Sequence, residues 1–302
     1  MSKYTHEQLC RLALPASETE ETKLDRAIDA VKRALGNSDI ILSNKYEIFG
    51  QGSYANNTNV RNNSDVDINV CYTAAYYYNL PKGKTREDYG FSNSVPYDYS
   101  TFKNDIERML VAYFGRDKVI RKNKCIHIQE NSYRTEIDVV PTWEHREYYG
   151  ENNNTNHFYK GVVLWADSGQ KVLNYPKQHK TNGIEKNEQS KKRYKSLVRI
   201  MKNLKIQMSD TNYYCNENIT SFLLECLMYN YPNYDLSSSD YDWNAILRKV
   251  IYFFWDKTNE DSEDWKSWVE NSERLYLMIG HKWGCSDVHE FMYKLWNYLE
   301  YK

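Results

Sequence analysis

Asp65 and Asp67 stand one residue apart in Ser64-Asp-Val-Asp-Ile-Asn-Val70, a run whose branched apolar residues predict a strand. Side chains alternate across a strand, so the two carboxylates share one face while Val66, Ile68 and Val70 share the other. A second such run, Ile137-Asp-Val-Val140, carries Asp138. Laid beside the first, it brings a third carboxylate to the same face. Three such oxygen donors suit a pair of Mg²⁺ (or Mn²⁺) ions, which prefer carboxylates, water and phosphate. Two ions held this way clamp the attacking and leaving oxygens of an in-line phosphoryl displacement. Phe49-Gly-Gln-Gly-Ser-Tyr54 supplies the complement. Gly52 lets backbone come close to a phosphate, Ser53 adds a hydroxyl donor, and a helix starting there would turn free N–H groups toward the anion. Neither a Gly-Ser pair nor an Asp-x-Asp means much alone. Ser53 twelve residues ahead of Asp65, followed by a later strand aspartate, makes a composite signal.

These residues need elements to hold them. Ser17-Glu-Thr-Glu20 has capping-box form, and Leu24, Ile28, Val31 and Leu35 follow at helical spacing before Gly36, so residues 18–35 are predicted helical. Tyr46–Phe49 is a short strand delivering Gly52 and Ser53. Ala55–Ser64 has five asparagines and reads as a turn-rich connection, with Arg61 a solvated loop arginine. Residues 80–99, with Pro81, Gly83, Gly90 and Pro96, read as a loop. Phe102, Ile106, Met109, Leu110 and Tyr113 predict a second amphipathic helix ended by Gly115. Lys118–Gln129 is a strand candidate in which Cys125, His127 and Gln129 alternate with Ile126 and Ile128; His127 is expected on a solvated face, with the cleft as the competing reading. Pro141 is expected to end the Asp138 strand. Gly161–Ala166 and Lys171–Leu173 flank Asp167-Ser-Gly as a hairpin, and Tyr175–Asn187 is expected to be a loop joining two lobes.

A helix is predicted from about Lys186 to Met208, with Leu197, Ile200, Met201, Leu204 and Met208 as its apolar stripe. Lys195, Arg199 and Lys202 share another face, and residues 186–205 hold eight basic residues against one acid. A lysine there would offset charge on the β- and γ-phosphates and on leaving pyrophosphate. Ile219–Tyr231 is another helix. Farther on, Trp243, Ile246, Leu247, Val250 and Ile251 give a stripe, Trp265, Trp268, Leu275 and Leu277 suggest a helix, and Phe291, Leu295, Trp296 and Leu299 close the chain. Asn259–Glu263 is an acidic loop.

The pattern Gly52-Ser53, Asp65-x-Asp67 and Asp138 resembles the polymerase-β-type nucleotidyltransferases. Tyr175-Pro-Lys-Gln-His179, Asn182-Gly183, Arg193-Tyr-Lys195, Val198-Arg-Ile-Met-Lys202 and Thr220-Ser-Phe-Leu-Leu-Glu225 narrow the resemblance to the cGAS/DncV-like enzymes, or CD-NTases, over residues 20–230. The resemblance implies an α+β fold: a nucleotidyltransferase lobe with a mixed sheet and a bracing N-terminal helix over 1–175, and a helical lobe over 176–302 closing the cleft. It implies that nucleoside triphosphates are joined into a cyclic di- or trinucleotide second messenger with release of pyrophosphate, in antiphage (CBASS) defence, for a downstream effector protein. Asp65, Asp67 and Asp138 would hold two metal ions, and Gly52 and Ser53 the triphosphate. Lys202, in a Met-Lys-Asn-Leu segment, resembles a phosphate-contacting lysine, with Arg199 as its companion. Ser221-Phe222 resembles a Ser-Tyr pair in which the serine contacts phosphate and the ring stacks on a base; Phe222 as plain core is the competing reading. Transfer of nucleotides to RNA, a protein or a small molecule, and a non-catalytic nucleotide-binding scaffold, are the alternatives to cyclisation.

Over 302 residues the 41% hydrophobic fraction suits a folded core, and the net charge of −1 argues against strong sequence-independent DNA binding. Six cysteines, none in a Cys-x-x-Cys pair, read as reduced thiols. Without a signal-peptide core or an apolar run long enough to span a bilayer, the expectation is a cytoplasmic monomer with no membrane partner.

Overall fold

A computed structural model describes all residues except 1, 16–17, 37–45, 61–64, 92–96, 132–134, 151–152 and 240; of 18–21 it describes the backbone only. The Ser17 capping box and Arg61 therefore lie outside the described residues. The chain divides into two compact units: Ser17–Ala55 with Arg61–Pro176, and Met1–Ala16 with Asn56–Val60 and Lys177–Lys302.

The first unit is a mixed sheet with two helices on one face. Its strands run β1 (Tyr46–Gly50), β2 (Val66–Asn79), β3 (Val119–Arg121), β4 (Ile126–Ile128), β5 (Ile137–Tyr148), β6 (Phe158–Trp165) and β7 (Lys171–Asn174), in the order β1-β2-β5-β4-β3. β2 and β5 are parallel; β6 pairs antiparallel with the later half of β5 and then with β7, the hairpin that Asp167-Ser-Gly predicts. The alternation of residues does what the sequence implies. Val66, Ile68 and Val70, Ile137 and Val139, and Ile126 and Ile128 are buried on one face. They form one core with α2 (Glu18–Gly36) and α4 (Tyr99–Phe114), whose stripes bury Val31 and Leu35, and Phe102, Ile106 and Leu110. Each large side chain so buried stabilises by roughly 1.5–3 kcal/mol. A single turn, α3 (Gly52–Ala55), sits between β1 and β2.

Two expectations about strand extent fail in this unit. The predicted strand over 118–129 is a tight hairpin, with Lys122 N bonded to Cys125 O between β3 and β4. Pro141 does not end β5, which runs on to Tyr148. β4 pairs with β5 only up to Val139 and β6 only from Trp143, so beside Pro141 that flank has no strand among the described residues. A missing N–H there breaks no ladder on that side.

The second unit is helical: α1 (His6–Leu12), α5 (Pro176–Gln189), α6 (Arg193–Asp210), α7 (Ser221–Asn230), α8 (Asn233–Leu236), α9 (Trp243–Lys257) and α10 (Cys285–Tyr298). Residues 1–16, expected with the sheet, belong here instead. Leu9 is fully buried in the helical core, Lys3 N donates to Leu299 O at 3.0 Å, and Asn203 Nδ2 to Leu12 O at 3.0 Å. Tyr175–Asn187 is not a loop; from Pro176 it is α5, with the proline in the first turn, where no N–H is needed. The helix predicted from Lys186 breaks at Lys191 and Lys192, both left-handed, and resumes as α6. Trp265–Leu277 is a 3₁₀ turn (Asp264–Ser267) and an antiparallel bridge from Val269 to Tyr276, not a helix. All six cysteines are free, though Cys215 is exposed.

Candidate active site

The acidic site is one row across three strands. Asp67 of β2 is in register with Asp138 of β5, and Asp138 with His127 of β4. Neighbouring strands lie about 4.8 Å apart, so residues at one register on one face touch. Asp65 precedes β2 and shares the face of Asp67. Burial, then the carboxylates of Asp138 and Asp65, push the Asp67 carboxyl up to about 7. His127 Nδ1 donates to Asp138 Oδ1 at 2.8 Å. Lys122 Nζ, on the β3–β4 turn, donates to the same oxygen at 3.2 Å and lies 3.9 Å from Asp65 Oδ2. Glu136 adds a fourth carboxyl, raised above its usual range by its hydrogen bond to Asp65.

His127 is thus buried, 7% exposed, rather than solvated. The solvated face of β4 and the acidic face of β5 are the same face, and only the strand order reveals it. Glu136 had a signal, two residues ahead of Asp138. Lys122 had none, because a turn has no periodicity.

The Gly52–Ser53 turn is tied to this row. Gly52 has φ +70°, which glycine adopts without strain. A Cβ there would overlap the Asp67 carboxylate. Gln51 N donates to Asp67 O at 3.0 Å, and Gln51 Oε1 accepts from Asn69 Nδ2 at 3.0 Å. Asn69 Oδ1 in turn accepts from Thr142 Oγ1 of β5 at 2.7 Å. Gln51, Asn69 and Thr142 therefore hold the loop against both acid-bearing strands. Gly52 is exposed and Ser53 half-buried.

The remaining predicted residues lie in the helical unit. Lys202, expected to face phosphate, is 2% exposed. Its ammonium donates to Glu225 Oε2 at 2.9 Å and to Thr58 O and Oγ1 at 3.2 and 3.1 Å, which engages its three protons within the protein. Arg199 is likewise buried. It donates to Ala13 O and Asn57 O, each at 2.7 Å, and burial lowers its pKa to about 10. Two of the three cations on this face, Arg199 and Lys202, are received by buried carbonyls and one carboxylate. Ser221 is exposed in the first turn of α7, after the N-cap Thr220. Phe222 is not core: it is 37% exposed, with the His179 ring 5.7 Å away and stacked.

The donor set fits a hard divalent cation. Oxygen donors dominate it, and the repulsion among them adds to burial in raising Asp67. Asp65, His127 and Asp138 each place a ligand atom within 4.8 Å of the others. Comparison with known proteins shows the family. Residues 181–300 match the C-terminal helical domain of the cGAS/DncV-like nucleotidyltransferases. A curated relative from Cecembia lonarensis, a cyclic dipyrimidine nucleotide synthase CdnE, is 46% identical over 303 residues, covering 100% of both chains. The chain belongs to the CD-NTases. A cyclic dipyrimidine nucleotide synthase CdnE of Legionella pneumophila is 36% identical, over 95% of each chain. Among solved CD-NTases, the Elizabethkingia meningoseptica CdnE cyclic dinucleotide synthase with GTP and Apcpp is similar at 31% identity and TM-score 0.80, covering 99% of this chain and 100% of that one. As a CD-NTase this chain is a nucleotidyltransferase, and the Gly52 loop beside the Asp67–Asp138 row is where its two sequence motifs meet. No described helix is long and apolar enough to cross a membrane.

Proposed function

We propose that this CD-NTase joins nucleoside triphosphates into a cyclic dinucleotide, or a trinucleotide, releasing pyrophosphate at each bond. The observation that carries the reading is the register of Asp67 with Asp138, completed by Asp65 and overhung by Gly52. Asp65, Asp67 and Asp138 would hold two Mg²⁺ or Mn²⁺ ions, which when bound neutralise phosphate charge and acidify a ribose hydroxyl. The backbone at Gly52 and the Ser53 hydroxyl bind the triphosphate. His127 and Lys122 orient Asp138 and temper the charge of the row before substrate arrives. The hydroxyl attacks the α-phosphate and pyrophosphate departs; a second such transfer closes a dinucleotide ring, and a third a trinucleotide ring. No side-chain nucleophile is needed, so catalysis rests on positioning and charge. Ser221 and Phe222, an exposed hydroxyl and a half-open ring, are the groups in the helical unit that suit a phosphate and a base.

Both CdnE relatives at 46% and 36% identity carry dipyrimidine in their names, which supports pyrimidine nucleotides as substrates here. The product would act on a downstream effector protein in antiphage defence, the enzyme working as a cytoplasmic monomer. The test is incubation with all four triphosphates and Mg²⁺ or Mn²⁺, phosphatase treatment and mass spectrometry, beside the Asp65→Ala/Asp67→Ala variant. A phosphatase-resistant cyclic product built from CTP or UTP, absent in the variant, is expected. Linear oligomers alone would overturn cyclisation, and a purely purine ring the base assignment.

A further inference from the structure

Three segments that the sequence singles out end on residues that meet: His179 of α5, Lys202 of α6 and Glu225 of α7. Glu225 is 5% exposed and accepts four hydrogen bonds. Oε1 accepts from His179 Nε2 at 2.9 Å and Asn56 Nδ2 at 3.2 Å; Oε2 accepts from Thr58 Oγ1 at 2.7 Å and Lys202 Nζ at 2.9 Å. A buried carboxylate is tolerated only when so fully satisfied. Two of the four donors come from residues 56–60, a short polar strap with almost no apolar content of its own. The strap has no regular structure, yet Thr58 is fully buried and Asn56 and Asn59 nearly so. Its carbonyls are held as well: Arg199 Nη1 binds Asn57 O and Lys202 Nζ binds Thr58 O. Asn57 is left-handed, φ 54°, a conformation that this grip maintains. Only Tyr54 and Ala55 separate the strap from Ser53.

We propose that Glu225 is a positioning residue: with Lys202 and Arg199 it clamps the strap at Asn56, Asn57 and Thr58, and so fixes the departure point of the Gly52–Ser53 loop that receives the triphosphate. The basic face of α6 works on substrate through the chain rather than by touching phosphate. This deepens the reading of Gly52–Ser53 as the triphosphate loop and rests on it. Holding the loop in place before substrate arrives removes an ordering cost from binding, which is how a rigid attachment increases affinity. His179 carries the same clamp to Phe222, whose ring it stacks upon.

Thr58→Val tests this in the full chain, because it removes one hydroxyl shared by Glu225 and Lys202 while keeping the shape. Thr58→Ser restores the hydroxyl. Leu247→Ala, in the helical core and not among the strap's hydrogen-bond partners, controls for lost stability. Hydrogen exchange of amides 53–60 is followed without nucleotide, and the affinity for inorganic tripolyphosphate with Mg²⁺ is measured by calorimetry. Thr58→Val is expected to speed exchange and weaken tripolyphosphate binding about tenfold, a difference of about 1.4 kcal/mol. Thr58→Ser should return both to wild type, and Leu247→Ala should lower the melting temperature without shifting either. Faster exchange with unchanged tripolyphosphate affinity would overturn the positioning role, as would an equal affinity loss in Leu247→Ala. Should Thr58→Val fail to fold, Asn56→Ala, which removes a single amide contact, decides the same points. The assay for cyclic product runs in parallel. Its failure in wild type would remove the cyclase reading, while the exchange and tripolyphosphate arms would still decide the clamp.

Discussion

Gly52 and Asp67 share space that no side chain on residue 52 could enter. The backbone at Gly52 is left-handed, and the volume a Cβ would fill belongs to the Asp67 carboxylate. The loop proposed to receive phosphate and the acid proposed to hold metal are thereby set at one distance from each other. Gly52→Ala is expected to shift one of the two. The left-handed backbone alone makes alanine cost about 1 kcal/mol, and displacement of a reacting group by about 1 Å lowers turnover roughly a hundredfold. Thermal melts and initial rates with nucleoside triphosphates check this. A fully active Gly52→Ala enzyme would mean that the loop does not need its close approach to Asp67.

His127 orients Asp138 through its Nδ1 hydrogen bond, in the manner of an outer-shell group that fixes a metal ligand. His127→Leu leaves the carboxylate in place but frees it to rotate. Metal affinity should fall about 10–100-fold, the usual penalty for losing such a partner. Titration with Mn²⁺ followed by electron paramagnetic resonance reads this without turnover. Unchanged Mn²⁺ affinity would reduce His127 to a packing residue.

His145 of β5 gives a pH dependence away from the site. It is fully buried, neither ring nitrogen has a hydrogen-bond partner, and burial lowers its pKa from 6.5 to about 4. The native ring therefore stays neutral where the unfolded chain begins to take up a proton. Its contribution to stability is complete above pH 6.5 and is lost as pH falls toward 4. The full swing is roughly 3 kcal/mol, and about 2 kcal/mol of it is gone by pH 5. His145→Leu should flatten this part of the profile, measured as the difference in denaturant midpoint between pH 7 and pH 5. An equal acid loss in the variant would place the sensitivity in other groups.

Much of this was legible in the sequence because it depends on local periodicity. Alternation in Asp65–Val70 and Ile137–Val140 separates acids from core before any contact is known. The stripes of α2, α4, α6, α9 and α10 are local in the same way, and so is the hairpin at Asp167-Ser-Gly. The errors fall where a local rule met a non-local fact. Pro141 continues a strand because the neighbouring strands change over beside it. Tyr175–Asn187 is helical despite its weak apolar period, since tertiary packing overrides propensity. Trp265, Trp268 and Leu277 pack into a core from a turn and a bridge, which apolar residues can do without being a helix.

Sequence alone determined the chemical kind of the site: two acids on one strand face, a third on another strand, and a glycine-serine loop ahead of them. Only the tertiary structure decided the order β2-β5-β4. That order sets His127 beside Asp138 and lets the Lys122 turn reach the same oxygen. It also decided that Lys202 and Arg199 reach inward to the carbonyls of a polar strap. The physical reason is the same in both cases. A side chain's direction follows from its own element, but its partner comes from residues far away in the chain, brought there by strand pairing and helix packing.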